Sequence, residues 1–148
     1  MSVARYRSFR FVLPSVLWLE EDRPTQSAGL QVGPTGRIDM VEDDEAIRQA
    51  ILMLLATSPG ERVMRPDYGC LLRRVIFSPN DDTTAGLAIH YVRVALERWE
   101  PRIEILRLDA TADPERTGRL EVVLDYRVRA TQAAQSLRIP IDLGGEAP

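Results

Sequence analysis

Glu100 is the residue of this chain whose surroundings best fit acid–base chemistry, because it stands between Trp99 and Pro101 at an abrupt change of sequence pattern. A corner that also carries Arg102 could be an active site, a structural clamp or a docking surface. An active site would need a second carboxyl group, since a glycosidase flanks its sugar substrate with two acids. The candidate partners are Glu61, Asp67 and Glu97.

No spacing in the sequence brings these acids next to Glu100. The competing interpretation is that Glu100 pairs with an arginine and that Asp67 caps a turn. Trp99 also has two open interpretations, as a core residue or as an interface residue, because Trp and Arg dominate the energetics of protein interfaces.

The single cysteine and the single histidine do not favour a nucleophile or a metal site. Cys70 excludes an intramolecular disulfide and a multi-cysteine metal centre. A reactive thiolate would need a nearby base, and His90 lies far away in sequence within a predicted helix. We therefore expect Cys70 to be a small buried hydrophobe and His90 to be a solvated or interface side chain. No cofactor and no metal are expected.

The composition is that of one ordinary globular domain. The chain has 148 residues, 45% of them hydrophobic and 28% charged, with a formal net charge of -3. The acidic balance gives no general attraction to nucleic acid or to an anionic membrane surface. No stretch is long enough to span a bilayer, and residues 1–28 match a signal peptide poorly. We expect a cytoplasmic protein.

Two segments have the periodicity of long helices. Acidic residues 42–45 precede one apolar face, which is the arrangement that the helix dipole favours. The second helix has three candidate caps and runs to about Trp99, where Pro101 forces the change of structure. Between them, residues 57–70 form a structured loop and residues 71–77 a short helix. The apolar face of the first helix consists of Ile47, Ile51, Leu54 and Leu55, and the candidate caps are Asp81, Asp82 and Thr83.

The second helix has only a narrow polar stripe, so we expect it to be covered on more than one side. The stripe consists of Gly86, His90, Arg93 and Glu97.

Three strands follow the corner. In the first, residues 102–110, the apolar alternation slips between Ile105 and Leu106, which predicts a bulge or burial on both faces. The second, residues 120–130, alternates regularly and is preceded by a predicted hairpin loop, residues 113–118. The third is predicted to be an edge strand, because Pro140 lacks a backbone donor. Its apolar side is formed by Leu137, Ile139, Ile141 and Leu143.

These elements predict an α+β domain, with two main helices packed on one face of a small antiparallel or mixed β-sheet. Residues 1–36 are rich in proline, glycine and apolar pieces and are predicted to form an extended N-terminal arm. Residues 37–148 then form the domain. The arm carries too many aromatic and aliphatic side chains for a free tail, so we expect it to lie on this domain or on a partner.

Three segments together resemble one family, the lysozyme-like baseplate-wedge proteins of contractile phage tails, type VI secretion systems and extracellular contractile injection systems. They read "AIRQAILMLLATSPGERVMRPDYGC", "FSPND" and "ALERWEPRIEI". The resemblance covers roughly residues 37–143. Its most specific positions are Thr57, Pro59, Gly60, Glu61, Arg62, Arg65, Pro66, Gly69, Glu100, Pro101 and Arg102.

The resemblance implies a non-enzymatic, structural role in a baseplate, with several copies in a ring around the central tube. Implied partners are larger wedge proteins at the corner formed by Trp99, Glu100, Pro101 and Arg102, and the sheath subunit, with tube or hub proteins as further candidates. Charge-assisted hydrogen bonds of Glu100 and Arg102 are expected to hold the wedge contact. The assembled baseplate would remain in the cytoplasm or leave in a released particle.

The sheath contact is expected on the edge strand, where an open sheet edge invites strand addition. The residues expected there are Leu137, Ile139 and Ile141. The alternative function is a muralytic glycosidase that acts on peptidoglycan. It would use Glu100 as a catalytic acid.

Overall fold

The structure, a computed structural model, describes residues 6–12, 29–30, 32–38, 40–115 and 118–143. Two helices, α1 (Asp43–Ala56) and α2 (Asp82–Trp99), are separated by a short 3₁₀ helix, Leu71–Val75. Every strand pair in the described part is antiparallel, so the predicted α+β class is confirmed. The strands are β1 (Arg7–Phe9), β2 (Phe11–Val12), β3 (Gly29–Leu30), β4 (Met40–Glu42), β5 (Ile103–Ala112), β6 (Arg119–Val128) and β7 (Ala134–Asp142).

Both helices begin where the sequence predicts. Asp81 is the N-cap of α2, and its carboxylate accepts a hydrogen bond of 2.9 Å from the backbone N–H of Thr84. Three acids occupy the first turn of α1. The prediction that α2 is covered on more than one side is wrong for the described chain. Leu87 is 42% exposed and Val94 is 49% exposed, so the sheet, the 3₁₀ helix and α1, which all contact α2, leave these residues uncovered.

The main sheet has the order β5-β6-β7, so β6 is its central strand. Every second residue of β6 is buried. The register of β5 on β6 shifts between Ile105 and Arg107, so the predicted bulge is confirmed at Leu106. The bulge puts Leu106 outside, at 44% exposure, while Leu108 resumes packing against the core. The extra residue in the bulge thus restores the alternation of inward and outward side chains along β5.

β7 pairs only with β6 among the described strands, so the predicted edge position is confirmed. The backbone N–H of Leu143 donates to the carbonyl of Gly118, which shows that odd-numbered residues of β7 direct their backbone groups toward β6. Even-numbered residues, Pro140 among them, therefore face the open edge. From Leu137 onward the odd-numbered side chains enter the core, where Leu137 is 2% exposed and Ile139 and Ile141 are fully buried.

A single hydrophobic core joins the sheet to both helices. Tyr126 of β6 is its largest fully buried side chain. Burial raises the pKa of the Tyr126 hydroxyl, and the α1 residues Arg48 and Asp44 are close enough to influence it. The core also contains isoleucines and leucines of α1, a valine and a leucine of α2, and the inward-facing residues of β5, β6 and β7.

The described N-terminal residues form short strands beside α1. β1 pairs with β4, and β2 pairs with β3. β4 runs directly into α1 through Asp43, whose φ of 47° turns the chain. The Asp43 N–H donates to the Tyr6 carbonyl at 2.8 Å, and its carboxylate accepts from the Tyr6 N–H at 3.1 Å. This pair of bonds fixes Tyr6 against the start of α1.

The loop of residues 57–70 is closed by its own backbone. The N–H of Cys70 donates to the carbonyl of Thr57 at 2.8 Å, and the N–H of Gly60 donates to the carbonyl of Pro66 at 2.7 Å. Gly69 has a φ of 142° and lies against residues 57–59. A β-carbon at Gly69 would come within 2.6 Å of the Thr57 carbonyl oxygen, so only glycine closes the loop without strain.

We expect Gly69→Ala to lower the free energy of unfolding by at least about 2 kcal/mol, since the new methyl group meets backbone atoms that have no room to move. Gly86→Ala is the matched control. A β-carbon there meets nothing within 4 Å, and alanine in a helix interior is better than glycine by about 0.5–1 kcal/mol. Urea unfolding measures both, and equal effects of the two substitutions would contradict this account of the loop.

Candidate protein-docking site

The corner at residues 99–102 forms where α2 ends. Glu100 is the C-cap, and its N–H still donates to the carbonyl of Leu96 at 2.9 Å. Pro101 has no backbone donor to continue the helix, so the chain turns and enters β5 at Ile103. The corner is therefore held on one side by the last turn of α2 and on the other by the first residue pair between β5 and β6.

Glu100 and Arg102 form a two-pronged ion pair with each other. The Arg102 Nε lies 2.5 Å from Glu100 Oε1, and the Arg102 Nη2 lies 2.8 Å from Glu100 Oε2. Glu100 is only 5% exposed, whereas a third of the Arg102 side chain is exposed. The hydrogen bonds to Glu100 raise the pKa of Arg102. This is the geometry of a clamp, in which a buried carboxylate holds the guanidinium in one orientation.

The same guanidinium reaches the N-terminal residues. Its central carbon lies 5.1 Å from the centre of the Tyr6 ring, within cation–π distance. Because Tyr6 is bonded to Asp43, the corner connects the end of α2 to the beginning of α1. No spacing in the sequence pairs residues 6 and 102, and only the aromatic content of the arm indicated that it would pack on the domain or on a partner.

Trp99 is half-buried, at the centre of a stack of aromatic and arginine side chains. Its ring packs edge-on against Tyr68 with the ring centres 5.4 Å apart, and the central guanidinium carbon of Arg98 lies over the Trp99 ring, 4.9 Å from its centre. Arg62 covers Tyr68 at 4.5 Å. Burial raises the pKa of the Tyr68 hydroxyl. The stack fastens the 57–70 loop to the last turn of α2.

Two of the three other candidate acids face arginines, and the third, Glu97, is exposed on α2. Glu61 lies 3.1 Å from Arg73, and Asp67 lies 3.8 Å from Arg98. The prediction that Glu100 pairs with an arginine is confirmed. A turn-capping role of Asp67 stays a prediction.

Cys70 is buried, as predicted. It is 2% exposed, and burial raises the pKa of its thiol to about 11. His90 is exposed beside Tyr91, their ring centres being 5.9 Å apart. In the described chain, no group of three or more histidine, cysteine or acidic residues is arranged to hold a metal. Nor is any helix of that part long and apolar enough to cross a membrane.

The structure separates the two predicted contact surfaces. The corner leads into β5, and β7 lies on the other side of β6. At the corner, Pro101 is exposed and Glu100 is buried. At β7, the side chains of Leu137, Ile139 and Ile141 are in the core, so a partner there can reach the backbone and exposed side chains such as Arg138, but not these three side chains.

A double-mutant cycle with Glu100→Ala and Arg102→Ala tests the clamp. We expect a coupling of about 2 kcal/mol in the free energy of unfolding, because removing one partner leaves a buried or half-buried charge unpaired. The control pair is Arg107 and Asp109, whose side chains are 65% and 46% exposed at a distance of 3.5 Å. Its coupling should be about 0.5 kcal/mol or less. Equal couplings would refute the clamp.

Burial of the Cys70 thiol should make the free energy of unfolding depend on pH. The unfolded chain releases the thiol proton near 9.0, whereas the folded chain keeps it to about 11. The folded state thus holds more protons in this window, and the free energy of unfolding should fall as pH rises from about 9 to about 11. Tyrosines with raised pKa values add to the fall above 10.0. The difference between the wild type and Cys70→Ala in the pH dependence of the free energy of unfolding isolates the contribution of the thiol. If the two proteins show the same pH dependence, the raised pKa of Cys70 is contradicted.

Comparison with known proteins identifies the family. The family model described as baseplate wedge protein gp25 matches residues 41–133, which include α1, the 57–70 loop, α2, the corner, β5 and β6. Baseplate protein W of Escherichia phage P2 is 35% identical over 101 residues, which cover 68% of this chain and 86% of that protein. The predicted resemblance is confirmed.

Solved structures agree with this assignment. A crystal structure from Geobacter sulfurreducens, provisionally described as a tail lysozyme, is 42% identical with a TM-score of 0.63, covering 70% of this chain and 94% of that one. A chain of the post-contraction R2 pyocin baseplate is 25% identical with a TM-score of 0.53, covering 68% of this chain and 98% of that one. The chain therefore belongs to the baseplate wedge protein gp25 family and is a baseplate component of a contractile tail-like system.

Proposed function

We propose that this protein joins the inner wedge of a baseplate to the sheath and starts the first sheath ring by accepting a strand on the open edge of β7. Several copies would stand in a ring around the central tube. Larger wedge proteins would contact the corner at residues 99–102, and the sheath subunit would contact β7. The single observation that carries the proposal is the edge of β7 with which no described strand pairs, in a chain of this family.

The edge of β7 has the right backbone groups for strand addition. Ser136 and Arg138 are even-numbered residues that direct N–H and carbonyl groups outward, while the buried odd-numbered side chains hold the strand rigid. Pro140 also faces outward and offers a carbonyl without a donor. A partner strand could therefore form all its backbone hydrogen bonds along the first half of β7. Pro140 would limit how far the pairing of the two strands extends.

The opposite edge of the sheet, on β5, is less suitable. There the N–H of Ala110 is occupied by the Asp109 carboxylate at 2.9 Å, and the N–H of Ile103 points at the Glu100 carbonyl at 3.5 Å. The bulge at Leu106 further breaks the regular spacing of donors and acceptors. These features favour β7 as the edge that accepts the sheath strand.

At the corner, the exposed groups are Pro101 and part of Arg102. We assign the direct wedge contact to these two residues and to the exposed side of Trp99. Glu100 acts through Arg102, because its own oxygens are buried and already bonded. A fixed guanidinium is a suitable group for binding a carboxylate or a backbone carbonyl of a partner, since less side-chain freedom is lost on binding.

A structural role also fits the state of the acids better than glycosidase chemistry does. A general acid must hold a proton near neutral pH, usually through burial without a positive partner. Glu100 is instead hydrogen-bonded at both oxygens to the Arg102 guanidinium, so both oxygens are already engaged within the chain. We therefore propose that the chain has no muralytic activity.

Arg138→Pro tests strand addition. Proline at this position removes one donor from the open edge and leaves the bonds between β7 and β6 intact, so we expect baseplates to assemble but sheaths to be short or absent. Sheath length is measured by electron microscopy in a strain that carries the variant as its only copy. The purified variant should unfold within a few degrees of the wild type, which verifies that β7 has formed.

Arg138→Ala is the matched control. It removes the same side chain, including its ion pair of 3.2 Å with Glu121, but keeps the backbone N–H. We expect sheaths of normal length from this variant. Normal sheaths from a correctly folded Arg138→Pro variant would refute the proposed role of the β7 edge.

A further inference from the structure

The tip of the 57–70 loop carries two apolar side chains that the described chain leaves almost entirely in solvent. Val63 is 95% exposed and Met64 is 89% exposed, the two highest values among the large hydrophobic side chains described. All residues from 61 to 67 are exposed. Two adjacent aliphatic side chains at the end of a loop are costly to keep in water, and such exposed apolar groups mark interaction sites.

The loop that carries this tip is rigid. Backbone bonds close it at Thr57 and Cys70 and again at Gly60 and Pro66, and its base packs through Tyr68 onto Trp99. The position of the tip relative to α2 is thus set before any partner arrives. A preorganised apolar protrusion loses little conformational entropy on binding, which is the property of an interface anchor.

The charges around the tip point to the chemistry of the partner. Both acids of the loop are matched by arginines from outside it, Glu61 by Arg73 and Asp67 by Arg98. The two arginines of the loop, Arg62 and Arg65, have no carboxylate partner in the part of the chain that is described. The tip is therefore locally cationic in a chain whose net charge is -3.

We propose that Val63 and Met64 are an anchor that inserts into an apolar groove, edged by carboxylates, on another protein of the baseplate. This inference rests on the proposed function and adds a third contact surface. That surface is distinct from β7 and is joined to the corner by the Trp99–Tyr68 contact. The unbranched Met64 side chain adapts to the shape of a groove, and the arginines beside it select acidic edges.

Photo-crosslinking in purified baseplates tests the proposal. A benzophenone amino acid replaces Met64, the baseplates are irradiated, and the crosslinked peptides are sequenced by mass spectrometry. We expect one partner segment that has apolar residues with aspartate or glutamate close by. The absence of crosslinks, or crosslinks only to segments without acids, in baseplates that contain the chain would overturn this inference and leave the proposed function standing. Absence of the chain from baseplates would overturn both.

Two variants measure the contributions of the tip. In the double variant Val63→Ser and Met64→Ser, we expect the amount of chain recovered with baseplates to fall about tenfold, since two apolar side chains no longer leave water. Arg65→Glu should cause a similar fall by reversing a charge. Leu87→Ser is the control, because it removes an exposed apolar side chain from α2, outside the loop. Equal recovery of all variants would contradict the anchor.

A cationic apolar tip could also enter an anionic lipid surface, and sedimentation with vesicles of phosphatidylcholine and phosphatidylglycerol distinguishes the two. We expect no binding of the purified chain to these vesicles. Binding that the double serine variant abolishes would replace the protein groove by a membrane as the target of the tip.

Discussion

Burial of the Glu100 carboxylate is the constraint on which the rest of the structure depends. A buried charge without compensation would cost several kcal/mol, so a fixed cation must accompany it. Arg102 supplies that cation from only two residues away, across Pro101, which prevents the helix from continuing. Pro101 therefore ends α2, and the ion pair holds together the two residues on either side of that turn.

The clamp also organises two segments that are distant in sequence. Arg102 lies over Tyr6, which is bonded to Asp43 at the start of α1, and Trp99 packs on Tyr68 of the 57–70 loop. The corner at residues 99–102 is thus the common support of the N-terminal residues and of the loop.

Features set by neighbouring residues could be predicted from the sequence. The bulge at Leu106, the cap at Asp81 and the edge position of β7 follow from local alternation, side-chain chemistry and the missing donor of Pro140. The contact of Tyr6 with Arg102 and the approach of Gly69 to Thr57 could not, because they join residues whose proximity only the folded chain creates. The solvent-facing side of α2 was wrongly expected to be covered, since apolar content alone does not say whether the cover comes from the same chain.

If β7 accepts a strand as proposed, the position of Pro140 is a compromise between assembly and aggregation. An open edge with every donor and acceptor available would pair with any exposed strand, including that of a second copy. Proline on the outward-facing register removes one donor without disturbing the bonds to β6, and the carbonyl at the same position remains available. An incoming strand must then bring its own register to the first half of β7, where Ser136 and Arg138 still donate. A partial edge of this kind favours a partner that is positioned by other contacts, and the corner and the 57–70 loop are the surfaces that could provide that positioning.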